Sequence, residues 1–225
     1  MPQKYRAFLF DAYGTLFDVH SVLLRAGNGL AGDLETLSQL WRQKQLEFSW
    51  LHALMDRYQD FAYITEAALR TALAQLHINA TEPQIGQLLD AYLAPAAFPD
   101  SKAALNALRD FPRAILSNGT PAMLQAAVHK NDLDGCFSHL ISVDQVKSYK
   151  PSPKVYQLGP DILQLPAAEI LFVSSNAWDA AGAKAFGYSV CWCNRSGRPM
   201  DQLGFAPDIV VSSLDQIPGR GSVSV

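Results

Sequence analysis

Cysteine is scarce in this chain: three in 225 residues, at Cys136, Cys191 and Cys193. An odd count with no spaced framework excludes a disulfide scaffold and favours reduced thiols in a cytoplasmic setting. Cys191 and Cys193 alternate along an apparent strand, so they share a face and would strain to pair. No second cluster of Cys or His completes four ligands, which argues against a zinc site. Long hydrophobic runs are also missing. No window reaches the roughly 18 apolar residues that span a bilayer, so no membrane partner is expected. Nor is there a basic excess. Lysine and arginine number 18 against 21 acidic residues, net −3, so no positive field advertises nucleic acid. The start, Met1-Pro2-Gln3-Lys4, leads straight into a strand without signal-peptide anatomy.

What is present fits an ordinary globular protein, with 49% hydrophobic and 17% charged residues. The length allows one domain with a sizeable insertion, or two small domains. Two textures divide it. Residues 1–16 and 97–225 alternate short apolar strands with helices and read as one core domain. Residues 17–96 read as helical throughout, an insertion after the first strand.

Within the insertion, Thr81-Glu82-Pro83-Gln84 is a capping-box pattern, followed by Ile85, Leu88, Leu89, Tyr92 and Leu93 at helical spacing. Thr65 is expected to cap a helix whose apolar side is Leu69, Ala72, Leu73 and Leu76. Leu40, Trp41, Leu46 and Phe48 suggest an earlier, longer helix, with Gly27, Gly29 and Gly32 breaking up its approach. Residues 94–99 read as a hinge back to the core. There, strands are expected at Tyr5 to Phe10, Arg113 to Leu116, Leu140 to Val143, Ile170 to Val173, Tyr188 to Trp192 and Ile209 to Val211. Thr120-Pro121 and Ser152-Pro153 read as helix starts with proline in the first turn. The tail after Pro218 has nothing to bury and is expected to fray. Strand–helix alternation of this kind implies right-handed crossovers and a mostly parallel sheet.

Four polar segments follow apolar runs: Asp11-Ala12-Tyr13-Gly14-Thr15, Ser117-Asn118-Gly119, Lys150-Pro151, and Ser174-Ser175-Asn176-Ala177-Trp178-Asp179. A parallel sheet brings such loops to one edge. Asp11, on a glycine-containing turn after a buried strand, can act as a nucleophile and form a covalent ester. Taken alone it could equally cap a helix. Ser117 and Asn118 sit near a helix start, where backbone N–H groups make an anion site.

In order and wording these segments resemble the haloacid dehalogenase superfamily, and closely its L-2-haloacid dehalogenase branch. The resemblance implies a doubly wound parallel-sheet (Rossmann-like) α/β core with a helical cap inserted after the first strand. It implies hydrolytic dehalogenation of short (S)-2-haloalkanoic acids to (R)-2-hydroxyalkanoic acids plus halide. Asp11 would displace the halide in an SN2 step, and water would then cleave the aspartyl ester.

By the same resemblance, Thr15 holds the Asp11 carboxylate, Lys150 orients it, and Ser174 (or Ser175) supports it. Ser117 receives the substrate carboxylate. Arg42, in Leu40-Trp41-Arg42-Gln43-Lys44, and Asn118 stabilise the departing halide. Asn176 and Asp179 position and activate the hydrolytic water, and Tyr156 bonds the polar network or the substrate carboxylate. Ala12, Tyr13 and Trp178 touch the substrate, and Leu46 and Phe61 complete an apolar wall.

Phosphatases of the superfamily carry a second aspartate two places after the nucleophile, where this chain has Tyr13. Asn176 likewise stands where an acidic magnesium ligand is expected. No metal and no cofactor are therefore expected. The resemblance also implies a homodimer. Haloacetate (including fluoroacetate) dehalogenation, a magnesium-dependent phosphatase and a silent carboxylate binder are the competing readings.

Overall fold

The computed structural model describes residues 5–217. The expectation of a frayed tail after Pro218, and the run-in at residues 1–4, lie outside them. The chain begins with β1 (Ala7–Phe10), whose four side chains are all buried, and leaves the sheet through the short β2 (Phe17–Asp18). Four helices follow: α1 (Ser21–Ala26), α2 (Leu34–Leu54), α3 (Phe61–Gln75) and α4 (Glu82–Leu93). The chain returns through β3 (Ala96–Ala97), which pairs antiparallel with β2, Phe17 opposite Ala97. The stretch 17–96 is thus helical except where two short strands lace its entry and exit together.

Beyond β3 come α5 (Ser101–Ala107), β4 (Arg113–Ser117), α6 (Pro121–Lys130) and β5 (His139–Ser142). Then follow α7 (Pro153–Leu163), β6 (Ile170–Ser174), α8 (Ala177–Phe186), β7 (Ser189–Cys193) and β8 (Ile209–Val211). The sheet order is β5-β4-β1-β6-β7-β8, and every pairing is parallel. Strands buried on both faces read as continuous apolar runs, as Ile170-Leu171-Phe172-Val173 does. The chain winds outward from β1 through β4 and β5, then crosses back to β6. The carboxyl ends of β1, β4 and β6 therefore flank the point where the winding reverses, where open sheets bind ligands.

Local chemistry explains the helix starts. The Thr81 capping box forms in full, with Thr81 and Gln84 exchanging side-chain bonds to each other's backbone N–H. Thr120 accepts from the Met123 N–H at the head of α6. Two expectations are corrected. Thr65 is not a cap: Asp60 takes that place by accepting from the Tyr63 N–H, so α3 begins a turn earlier and Thr65 lies inside it. Ser152 stands at the start of α7 but makes no side-chain cap bond.

At the exit from the core, the Arg195 guanidinium forms a two-pronged pair with Asp100 at 2.7 and 3.0 Å. It also donates to the Thr15 carbonyl at 3.0 Å. This joins the two chain crossings to the turn that carries the first polar segment.

Candidate active site

Asp11 follows β1 and is 6% exposed. Gly14, at φ +89°, turns the chain back so that Thr15 can reach it. The Thr15 hydroxyl donates to Asp11 Oδ2 at 2.8 Å, and the Asn176 side-chain amide donates to the same oxygen at 2.8 Å. Lys150 Nζ donates to Asp11 Oδ1 at 3.0 Å and to Asp179 Oδ2 at 2.9 Å. The Tyr156 hydroxyl donates to Asp179 Oδ1 at 2.8 Å. Residues from after β1, from the segment before α7, and from α7 and α8 thus converge on one buried network.

Lys150 and Asp179 are essentially sealed from solvent. Burial works against the Lys150 ammonium, but the Asp11 and Asp179 carboxylates outweigh it and raise its proton affinity. Burial also raises the proton affinity of Asp179, with Lys150 opposing. Tyr156 is held well above its ordinary value by burial and by the Asp179 charge. In a low-dielectric site such charges persist only as a paired set. The Lys150 chain also lies over the Phe172 ring, Nζ 5.0 Å from its centre.

Other expected residues stand one step back. Ser174 accepts from the Asn176 N–H at 3.1 Å, and the Ser175 N–H donates to Thr15 Oγ1 at 2.8 Å. Ser117 accepts from the Gly119 N–H, and Asn118 Oδ1 accepts from the Lys150 N–H at 3.1 Å. Ser117 and Asn118 are buried at the end of β4, ahead of the α6 N-terminus. Ala12 and Tyr13 are buried in the turn after β1. Tyr13 stacks on Tyr92, ring centres 5.8 Å apart, and lies 6.1 Å from Phe61. Trp178 packs edge-on against Trp50. Leu46, on α2, is half-buried.

Arg42 reaches from α2 to the site, donating to the Tyr13 carbonyl at 3.3 Å and to Gln45 Oε1 at 2.7 Å. Gln45 and Tyr92 are the residues that sequence reasoning missed. Gln45 is fully buried, accepts from the Tyr92 hydroxyl at 2.8 Å, and donates to Thr65 Oγ1 at 2.7 Å. Gln45 lies three residues after Arg42, close enough on a helix to have signalled a partner.

Among the described residues no group of three His, Cys, Asp or Glu is placed to hold a metal ion. The donor set fits a divalent cation poorly, because the Lys150 ammonium bridges the two carboxylates that would be its ligands.

A family model described as haloacid dehalogenase-like hydrolase matches residues 5–187. The chain is 45% identical to haloacetate dehalogenase H-2 of Moraxella sp. (strain B), over 96% of this chain and 97% of that one. It is 46% identical to an (S)-2-haloacid dehalogenase of Pseudomonas sp. (strain YL), over 93% and 91%. The structure of L-2-haloacid dehalogenase from Xanthobacter autotrophicus with chloropropionic acid covalently bound superposes with a TM-score of 0.87. Identity there is 40%, covering 94% of this chain and 96% of that one.

Proposed function

The chain belongs to the haloacid dehalogenase-like hydrolases, and on that premise we propose that it converts short (S)-2-haloalkanoic acids to (R)-2-hydroxyalkanoic acids and halide. The observation that carries this is the Asp11 carboxylate, buried and held by Lys150, Thr15 and Asn176. Oδ1 has one donor and Oδ2 has two, so Oδ1 is the freer oxygen to attack. It displaces the halide from the carbon bearing it, with inversion, and leaves an ester between Asp11 and the substrate. Water then adds to the Asp11 carbonyl carbon. The ester bond breaks on the Asp11 side, the hydroxyacid departs, and Asp11 keeps one oxygen from water.

Each remaining residue takes a part in these steps. Asp179, whose burial raises its affinity for a proton, is the base that takes the proton of that water. Tyr156 and Lys150 hold Asp179 in place. Backbone N–H groups around Ser117 and Asn118, at the head of α6, receive the substrate carboxylate. Arg42 and Asn118 take the halide, and Ala12, Tyr13, Phe61, Leu46 and Trp178 enclose the alkyl group. Ser174 holds the Asn176 backbone that aims its amide. The Lys150 ammonium supplies the positive charge, so the reaction needs no metal.

Residues 17–96 form the cap over this site. Haloacetates are a second substrate class, favoured by the likeness to a haloacetate dehalogenase. The three free thiols suit a cytoplasmic enzyme. Exposed Leu24, Tyr63 and Leu93 on the insertion suit a homodimer.

The test is halide release from L- and D-2-chloropropionate in EDTA, for wild type and Asp11→Asn. Release from the L acid only, abolished by the substitution, supports the reading. So does a single turnover with excess enzyme in ¹⁸O-water that labels Asp11 and not the first product. Release that requires magnesium, or label in the first product, overturns the mechanism.

A further inference from the structure

A cavity of about 590 Å³ opens at the seam between the carboxyl end of α2 and the loop before α7, and meets the reaction centre through Lys150 and Trp178. Trp50, Leu54, Tyr149, Lys150, Trp178 and Leu203 line it. A neighbouring cavity of about 500 Å³ shares Trp178 and Leu203 with it. Two of its wall residues also belong to the catalytic cluster or adjoin it. Lys150 donates to Asp11, and Trp178 follows two residues after Asn176, whose amide holds Asp11.

Its wall offers no free charge, and its two buried indole N–H groups, of Trp50 and Trp178, have no hydrogen-bond partner among the described residues. The single lining cation, Lys150, is committed to Asp11 and Asp179. The Tyr149 hydroxyl is committed to the Gln59 carbonyl at 2.6 Å. The rest of the wall is indole, alkyl and proline surface, with the serines Ser148 and Ser152 at one side. At the rim, Leu54 is 83% and Leu203 54% exposed, apolar area that a soluble protein keeps in a patch for a reason. The volume is that of an ordinary small-molecule pocket.

Resting on the dehalogenase reading, we propose that this cavity is an alkyl-tail site. The enzyme would then take 2-haloalkanoic acids with chains well beyond propionate, their carbons beyond the reacting centre leading past Trp178 into the space between Trp50 and Tyr149. The carboxylate and halogen stay at the α6 end, and the tail removes the apolar wall from water. Each buried methylene then raises kcat/KM about fourfold.

The experiment compares halide release from (S)-2-bromopropionate, (S)-2-bromohexanoate and (S)-2-bromooctanoate, for wild type, Ala53→Trp and Leu54→Asp. Ala53 lines the same cavity, so the indole fills it. Leu54 is on the surface and tolerates a charge that an alkyl chain would have to pass. Expected is a kcat/KM for the hexanoate at least tenfold above the propionate in wild type. Either substitution should remove that advantage while leaving the propionate within twofold.

Halide from bromopropionate with no gain on the longer acids overturns the tail site alone. So does an equal loss on all three acids. No halide from any acid in wild type overturns the dehalogenase reading beneath it. A change of sedimentation state in Leu54→Asp, with chain-length preference intact, gives the surface to a second copy of the chain and overturns the proposal.

Discussion

The Tyr13 hydroxyl is buried and has no hydrogen-bond partner among the described residues. Burial raises its proton affinity, as do the neighbouring Tyr92 and Asp11, with Arg42 opposing. It stays a neutral donor, and leaving such a donor unpaired costs about 1–3 kcal/mol. It lies beside Gly119, where an added Cβ would stand 2.7 Å from its ring and 3.3 Å from its oxygen. That places it next to the anion-receiving turn ahead of α6. A substrate carboxylate there would satisfy it. Tyr13→Phe should therefore raise the stability of the free enzyme by about 1 kcal/mol and raise KM for 2-chloropropionate about tenfold. Urea unfolding and steady-state kinetics read the two effects together. An unchanged KM would show that the hydroxyl meets no substrate. Legibility at this scale was uneven. Tyr13 stood out because a carboxylate is expected in its place, but its unpaired hydroxyl depends on Gly119, over a hundred positions later.

Among the elements, α2, α3 and α4 meet at one side chain that belongs to none of the four polar segments. Gln45 on α2 accepts from Arg42 and from Tyr92 on α4, and donates to Thr65 on α3. It holds the guanidinium against the Tyr13 carbonyl. Gln45→Leu leaves a buried hydroxyl and part of the guanidinium unpaired, so stability should fall by about 2 kcal/mol. If Arg42 stabilises the leaving halide, the loss of kcat should be larger for 2-chloropropionate than for 2-bromopropionate, because the poorer leaving group needs the donor more. Equal losses on both substrates would reduce Gln45 to a packing role. This layer was hidden in the sequence for the reason that hid the start of α3. The Thr81 box was legible because all its partners lie within three residues. Thr65 was misread as a cap because its partners are the Phe61 carbonyl and Gln45, the latter twenty residues away on another helix.

For the molecule as a whole, the core strands and the four polar loops were legible, since each is an apolar run ending in a polar turn. What a sequence does not show is how many titratable groups the fold seals in their protonated form. Burial raises the proton affinity of Tyr13, Tyr92, Tyr149, Tyr156 and Tyr188 above the ordinary value of 10.0. It pushes Cys191 from 9.0 up to about 12. Lys150 rises above 10.5 because Asp11 and Asp179 outweigh its burial. All these shifts have the same sign. Once pH exceeds the ordinary value, the unfolded chain releases protons that the folded chain retains, so folding stability declines as pH rises. Below the ordinary values both states are protonated and the contribution is complete. Each group steepens the decline by up to about 1.4 kcal/mol per pH unit. Unfolding free energy from urea titrations should therefore be little changed by these groups from pH 7 to about 8.5, then fall with increasing slope above pH 10. Phenolate absorbance should appear with the loss of tertiary structure rather than ahead of it. A free energy that stays level to pH 11, or tyrosines that ionise while the fold persists, would show that these side chains reach solvent without unfolding.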